Sequence, residues 1–192
     1  MTVNKGYILL TDTGSLLTKF IKLYTKKPYN HASIAFDSKL LDVYSFGRKS
    51  ARNPFIGGFV KEDMKSYLFD KANCVIYSFE VTEIQFEMMK RYIQDIDAQK
   101  QKYRYNFLGL FGFILNKPIK RKKAFFCSQF VASVLKEGNI IAFEKPLSLI
   151  APNDFQQISN FQLVYQGKLN DYTNKNVREK DRFLYQLRTI GA

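Results

Sequence analysis

NHASIAFDSKLLDVYSF, residues 30–46, carries the pattern on which the fold reading turns. His31 to Phe36 reads as a strand, Asp37-Ser38-Lys39 as a turn and Leu40 to Phe46 as the returning strand. The side chains that follow His31 on its own face are small, Ser33 and Ala35, which leaves room for a ligand beside the imidazole. Upstream, Gly6 to Thr11 reads as a first strand, and downstream Cys74 to Val81 as another. Strands near the start, helices in the middle and a late strand at Phe161 to Tyr165 give an α+β chain with an antiparallel sheet.

Helical spacing sets the remaining elements. Leu16, Leu17, Phe20, Ile21 and Tyr24 predict an amphipathic helix over 14–25, ended by Lys26-Lys27-Pro28. Thr82 with Gln85 forms a capping box, followed by Phe86, Met89, Ile93 and Ile96 on one face of a helix reaching about Lys100. Residues 47–58 read as loop, 106–115 as an apolar helix and 116–125 as a basic loop. Phe126-Cys127-Ser128-Gln129 opens a helix whose buried stripe is Cys127, Phe130, Val131, Val134 and Leu135, stopped by Gly138. Pro152-Asn153-Asp154 starts a short helix. Residues 1–169 read as one domain and 170–192 as a basic tail, with a helix expected around 177–189.

Composition narrows the chemistry. The 192 residues carry 30 Lys+Arg against 17 Asp+Glu, a formal charge of +13, with one histidine, two cysteines and no tryptophan. One His and two Cys cannot build a Cys₂His₂, Cys₄ or multi-His metal centre, so neither metal nor cofactor is expected. Two cysteines do not make a disulfide-stapled domain. Hydrophobic content of 46% with 16% aromatics is ample for a core. The start of the chain lacks the features of a signal peptide, and the longest apolar run, 107–115, is far short of the roughly 20 residues of a membrane span. The expectation is a cytoplasmic chain with free thiols. The charge points to an anionic partner or to solubility alone. Its densest cluster is Lys117, Lys120, Arg121, Lys122 and Lys123, with a weaker one from Lys175 to Arg188.

Two places carry reactive groups. If the chain needs an imidazole, His31 must supply it. Cys127 sits in a first helical turn, where unpaired N–H groups and the helix dipole favour an anion such as a thiolate. Cys74 starts a strand without such surroundings and reads as structural. A thiol nucleophile needs a base and often a third polar group to orient that base. The two residues lie 127 − 31 = 96 positions apart, so only the fold can join them. Taken singly, a lone strand histidine is most often an ordinary satisfied residue, and a lone cysteine on an apolar helix face a small core hydrophobe.

Together these motifs resemble the circularly permuted papain-like cysteine hydrolases of the NlpC-type superfamily, in particular the YiiX-like amidase group, relatives of the lecithin:retinol acyltransferase-like proteins. In those families the histidine precedes the cysteine. Gly6-Tyr7-Ile8-Leu9-Leu10-Thr11 resembles the opening strand, with Tyr7 where Asp is usual. Asn30-His31-Ala32-Ser33-Ile34-Ala35 resembles the histidine strand. Phe126-Cys127-Ser128-Gln129-Phe130-Val131 resembles the nucleophile helix, with Gln129 where Glu is common. The resemblance spans about residues 6–165. It implies a permuted papain-like fold, an antiparallel sheet or small barrel against helices, with Cys127 as nucleophile and His31 as base.

It also implies a third polar residue on the strand after the histidine. With Ser38-Lys39 as a two-residue loop, paired positions sum to 77, and Tyr44 and Asp42 share the face of His31. Tyr44 is the nearer and the preferred candidate, and a one-residue slip substitutes Ser45. The family's tyrosine near the oxyanion site maps onto Tyr103 or Tyr105, with Tyr105 preferred, although ordinary ring packing explains either. Ser128 and Ser33 complete the candidate substrate-side set.

The activity implied is thiol-dependent hydrolysis of an amide, ester or thioester through an acyl-enzyme, as a cysteine amidase or peptidase or, with another acceptor, an acyltransferase. The substrate class is a small molecule, peptide or lipid, with an anionic one among the candidates. The competing class is an inactive binding module for anionic polymer or membrane headgroups, with peripheral membrane contact as one form. Specific nucleic-acid recognition has no motif to support it.

Overall fold

The computed structural model describes residues 4–13, 27–48, 56–119 and 121–174. The expected helices over 14–25 and 177–189 lie outside the described residues, as do most of the loop between 47 and 58 and Lys120. The chain is α+β. Six strands form one antiparallel sheet: β1 (Asn4–Asp12), β2 (His31–Ala35), β3 (Val43–Arg48), β4 (Gly57–Glu62), β5 (Asn73–Val81) and β8 (Gln162–Lys168). Their order is β4-β3-β2-β1-β5-β8. Arg104–Tyr105 (β6) and Ala124–Phe125 (β7) pair as a short parallel ribbon. The helices are α1 (Glu83–Ala98), α2 (Phe107–Ile114) and α3 (Cys127–Glu137). No helix among the described residues is long and apolar enough to cross a membrane.

The centre of the sheet is covered on both faces, which is why β1 reads as a continuous apolar run instead of alternating. Ile8, Leu9 and Leu10 are all fully buried. Ile8 and Leu10 join Ala32, Ile34, Phe46, Phe59 and Phe79 against α1 and α3. Leu9 turns the other way, with Ala35, Val43, Cys74 and Ile76, beneath Met64, Phe69, Leu169 and Tyr172. Residues 169–174 are helical. Tyr172 there donates to the Ser38 carbonyl, so packing continues past residue 169.

Local chemistry explains the helix ends. Gln85 N–H donates to Thr82 Oγ1 and Thr82 N–H to Gln85 Oε1, the capping box that starts α1. Met89, Ile93 and Ile96 are buried along its inner face. The α3 stripe is buried as its spacing predicts, and the left-handed residue that ends α3 is Asn139 (φ 50). Gly138 instead lets the two helices approach, since a Cβ there would lie 2.4 Å from Met89 Cγ.

The hairpin at the opening motif differs from expectation. Asp37 does not begin a two-residue turn. Its carboxylate accepts from the backbone N–H groups of Lys39, Leu41 and Asp42, and Leu40 adopts φ 57. The wider loop delays β3 to Val43 and sets the pairs Ile34↔Tyr44 and Ala35↔Val43, which sum to 78. Every side chain of β3 is therefore turned to the face opposite the one a sum of 77 gives. β4 was not legible and lies partly in the expected loop.

Phe130 anchors α3 to the sheet, its ring 5.1 Å from Phe46 and 5.8 Å from Phe59. Phe130→Ala is expected to cost about 3–5 kcal/mol, measured by urea unfolding.

Candidate functional site

The register brings an acid to the histidine that was not a candidate. Glu62, the last residue of β4, pairs with Val43 and so shares the face of Ser45. Its Oε1 lies 2.8 Å from His31 Nε2. Ser45 Oγ donates to the same oxygen at 2.7 Å, and Ser33 Oγ donates to Oε2 at 2.5 Å. Three groups from two neighbouring strands thus surround one buried carboxylate, whose side chain is 7% exposed.

His31 and Glu62 belong by register to the face away from α3. His31 lies at the end of β2 where the β2–β3 ladder is open, its pairs being Ile34↔Tyr44 and Ala35↔Val43 alone. There the His31 ring comes within electrostatic reach of Cys127, whose charge as a thiolate would favour the imidazolium. With Nε2 turned to Glu62, Nδ1 is the nitrogen left for the sulfur. Gly47 lies beneath the ring, where a Cβ would sit 3.6 Å from His31 Cε1.

Burial disfavours the charged imidazole, but the Glu62 carboxylate and then Cys127 outweigh it. The His31 pKa is raised from 6.5 to about 10. Burial likewise opposes the Glu62 charge, and His31 with the two serine hydroxyls reverses that, holding the carboxyl below its usual range.

Cys127 is buried at the first position of α3. Phe126 before it offers no side-chain cap, so no side chain from the cap position competes for the first-turn N–H groups. Tyr105 stands close by. Burial, and then the charge a thiolate would place at Cys127, push its phenol well above the usual range, so its proton is retained. Gly57 makes room for it, since a Cβ there would lie 2.9 Å from Tyr105 Cβ.

The other expected residues are placed differently. Tyr44 is on the far face, stacked on Phe59 at 5.9 Å, and its hydroxyl donates to Asp42 Oδ1 at 2.7 Å. Burial and that carboxylate push its phenol up to about 12. Asp42 also accepts from Lys61 Nζ at 2.7 Å. Neither Tyr44 nor Asp42 is the His31 partner, because the wide Asp37 loop shifted the register. Ser45 reaches the site, but its hydroxyl holds Glu62, and Ser33 does the same. Ser128 Oγ donates to the Ile150 carbonyl at 2.6 Å, which ties down the start of α3. Its proton is committed there and not to a substrate oxygen. Tyr103 stacks on Phe125 at 6.1 Å as a packing residue. Cys74 is fully buried, and desolvation pushes its thiol up to about 12. Among the described residues no group of three or more His, Cys, Asp or Glu could hold a metal ion.

In comparisons with known proteins, no family model, curated protein or solved structure matches the chain.

The raised His31 and lowered Glu62 fix a pH signature. A histidine raised in the folded state contributes stability below pH 6.5 that is lost as pH rises through about 10. A lowered glutamate contributes stability above pH 4.5 that is lost as pH falls through its folded value. Glu62→Gln is expected to shrink both limbs relative to wild type in thermal melts across pH 3–11. An unchanged alkaline limb would show that Glu62 does not hold the imidazolium.

Proposed function

We propose that the chain is a thiol-dependent hydrolase of the permuted papain-like kind, working through Cys127, His31 and Glu62. The observation that carries this reading is the His31 ring, bonded through Nε2 to the buried Glu62 carboxylate at 2.8 Å and within electrostatic reach of the helix-start Cys127. A structural histidine needs one satisfied partner. A ring held by a carboxylate on one nitrogen, with a thiol beside it, is poised to keep a proton while the sulfur gives one up.

In the proposed reaction, the Cys127 sulfur attacks the carbonyl carbon of an amide, ester or thioester. The carbonyl oxygen takes up the displaced electron pair. The backbone N–H of Cys127 and the Tyr105 hydroxyl are the donors for that oxyanion. His31 gives its proton to the departing nitrogen, oxygen or sulfur as the bond to the carbonyl carbon breaks. Water then attacks the acyl-enzyme, His31 takes the water's proton, and the acid leaves with the thiolate restored. An amine or alcohol in place of water gives acyl transfer.

Glu62 acts as the positioning residue in this scheme. It fixes the ring with Nδ1 toward sulfur and stabilises the imidazolium, in the manner of the third member of a catalytic triad. Ser33 and Ser45 hold Glu62 in turn. Their hydroxyls are spent on the carboxylate, which makes them supports and not substrate contacts.

The test is labelling by a thiol-directed acyl probe. Wild type is expected to label at Cys127 alone, because Cys74 is fully enclosed with its thiol pushed up to about 12. Cys127→Ala should abolish labelling, and His31→Ala and Glu62→Ala should slow it by roughly 10²–10⁴-fold, with circular dichroism unchanged. Undiminished labelling of Cys127→Ala would sink the assignment.

A further inference from the structure

Between Asp97 and Glu137 the sequence has no acidic residue. The same span carries nine cations: Lys100, Lys102, Arg104, Lys117, Lys120, Arg121, Lys122, Lys123 and Lys136. It includes α2, which is apolar throughout (FLGLFGFI). Ordinary globular packing would bury the large side chains of such a helix. Here Leu108 is 54% exposed and Leu115, just past the helix end, is 67% exposed. Seven residues apart, the two stand on one face, two turns from each other.

The basic segment is fastened to that helix. Asn116 turns the chain with φ 51, and Lys117 N–H donates to the Gly112 carbonyl at 2.8 Å. The fit is close, because a Cβ at Gly112 would lie 2.5 Å from the Lys117 carbonyl oxygen and 2.7 Å from Ile119 Cγ1. Lys117, Arg121 and Lys122 are exposed, and none has an ion-pair partner among the described residues. Lys123 is engaged with Gln99 and lies over the Tyr103 ring. The apolar rim continues toward the cysteine, since the Phe107 ring is 4.8 Å from that of Tyr105. Ile56, 51% exposed, precedes the glycine that abuts Tyr105.

We infer that the α2 face, Leu108 and Leu115 with Lys117, Arg121 and Lys122 beside them, docks on an anionic lipid bilayer. Leucines gain by leaving water for the acyl boundary, and adjacent lysines and arginines gain from anionic headgroups. A polyanion such as RNA would satisfy the cations but leave exposed aliphatic side chains without a partner. A second copy of this chain would bring the same cations together. The bilayer is the occupant that uses both halves of the surface. The inference rests on the surface alone and does not require the cysteine to be catalytic.

Vesicle co-sedimentation tests it. The full chain is expected to bind vesicles of phosphatidylcholine with about one-third phosphatidylserine at least tenfold more tightly than pure phosphatidylcholine. Leu108→Ser with Leu115→Ser should weaken binding about tenfold with the charges intact. Lys117→Glu, Arg121→Glu and Lys122→Glu together should weaken it about a hundredfold. All these side chains are exposed, and circular dichroism checks that each variant folds. Cys127→Ala should bind as wild type does, so a failure of the catalytic reading leaves this result untouched. No binding, equal binding to both vesicles, or binding indifferent to the leucine changes overturns the inference. So does preference for polyuridylate over vesicles, which would assign the surface to a polymer.

Discussion

A carboxylate in a protein interior is costly, since taking such an ion out of water carries an effective penalty of several kcal/mol even after relaxation. Glu62 offsets that cost with one imidazole and two hydroxyls, drawn from β2 and β3 while the acid itself comes from β4. The same three contacts cross-link the edge half of the sheet, aim the single histidine and raise its proton affinity. Removing any one leaves the others facing an under-satisfied buried charge. The aim of the ring and of two hydroxyls on neighbouring strands therefore depends on one side chain.

What was legible in the sequence was local. The capping box at Thr82 and Gln85, the α3 stripe and the strand around Ile8 to Leu10 are each set by a few neighbouring residues. Periodicity alone finds these. Cys127 and His31 were visible because composition leaves few alternatives. The hairpin was not legible in detail, because its register turns on whether Asp37 starts a tight turn or caps three amides of a wider loop. Both suit Asp-Ser-Lys, and the difference is one residue. That single step carried Tyr44 to the far face and Ser45 to the site.

Glu62 was hidden for another reason. Gly57-Gly58-Phe59-Val60-Lys61-Glu62 has two glycines and two charges in six residues, a poor strand by propensity. It becomes a strand because β3 offers it an edge and because Phe59 packs against Phe46 and Phe130. The usable signal was the alternation of Phe59 and Lys61 against Val60 and Glu62, which places an acid on one face of a second hairpin. Tertiary pairing supplied what local preference withheld, so the orienting group came from one strand further along than expected.

β4 is an edge strand of the sheet, and edge elements are the ones that open in partial, sub-global fluctuations while the core stays closed. Opening β4 would withdraw Glu62 and pull Phe59 from its packing on Phe46 and Phe130, while β1 and β5 stay paired. The imidazole would then lose its alignment and most of its affinity for the proton in a molecule that is otherwise folded. The protonation of His31 thus depends on an edge strand, while the central strands are held by their own pairing. Anything that clamps β4 against β3 holds Glu62 at the ring and Phe59 in the core together.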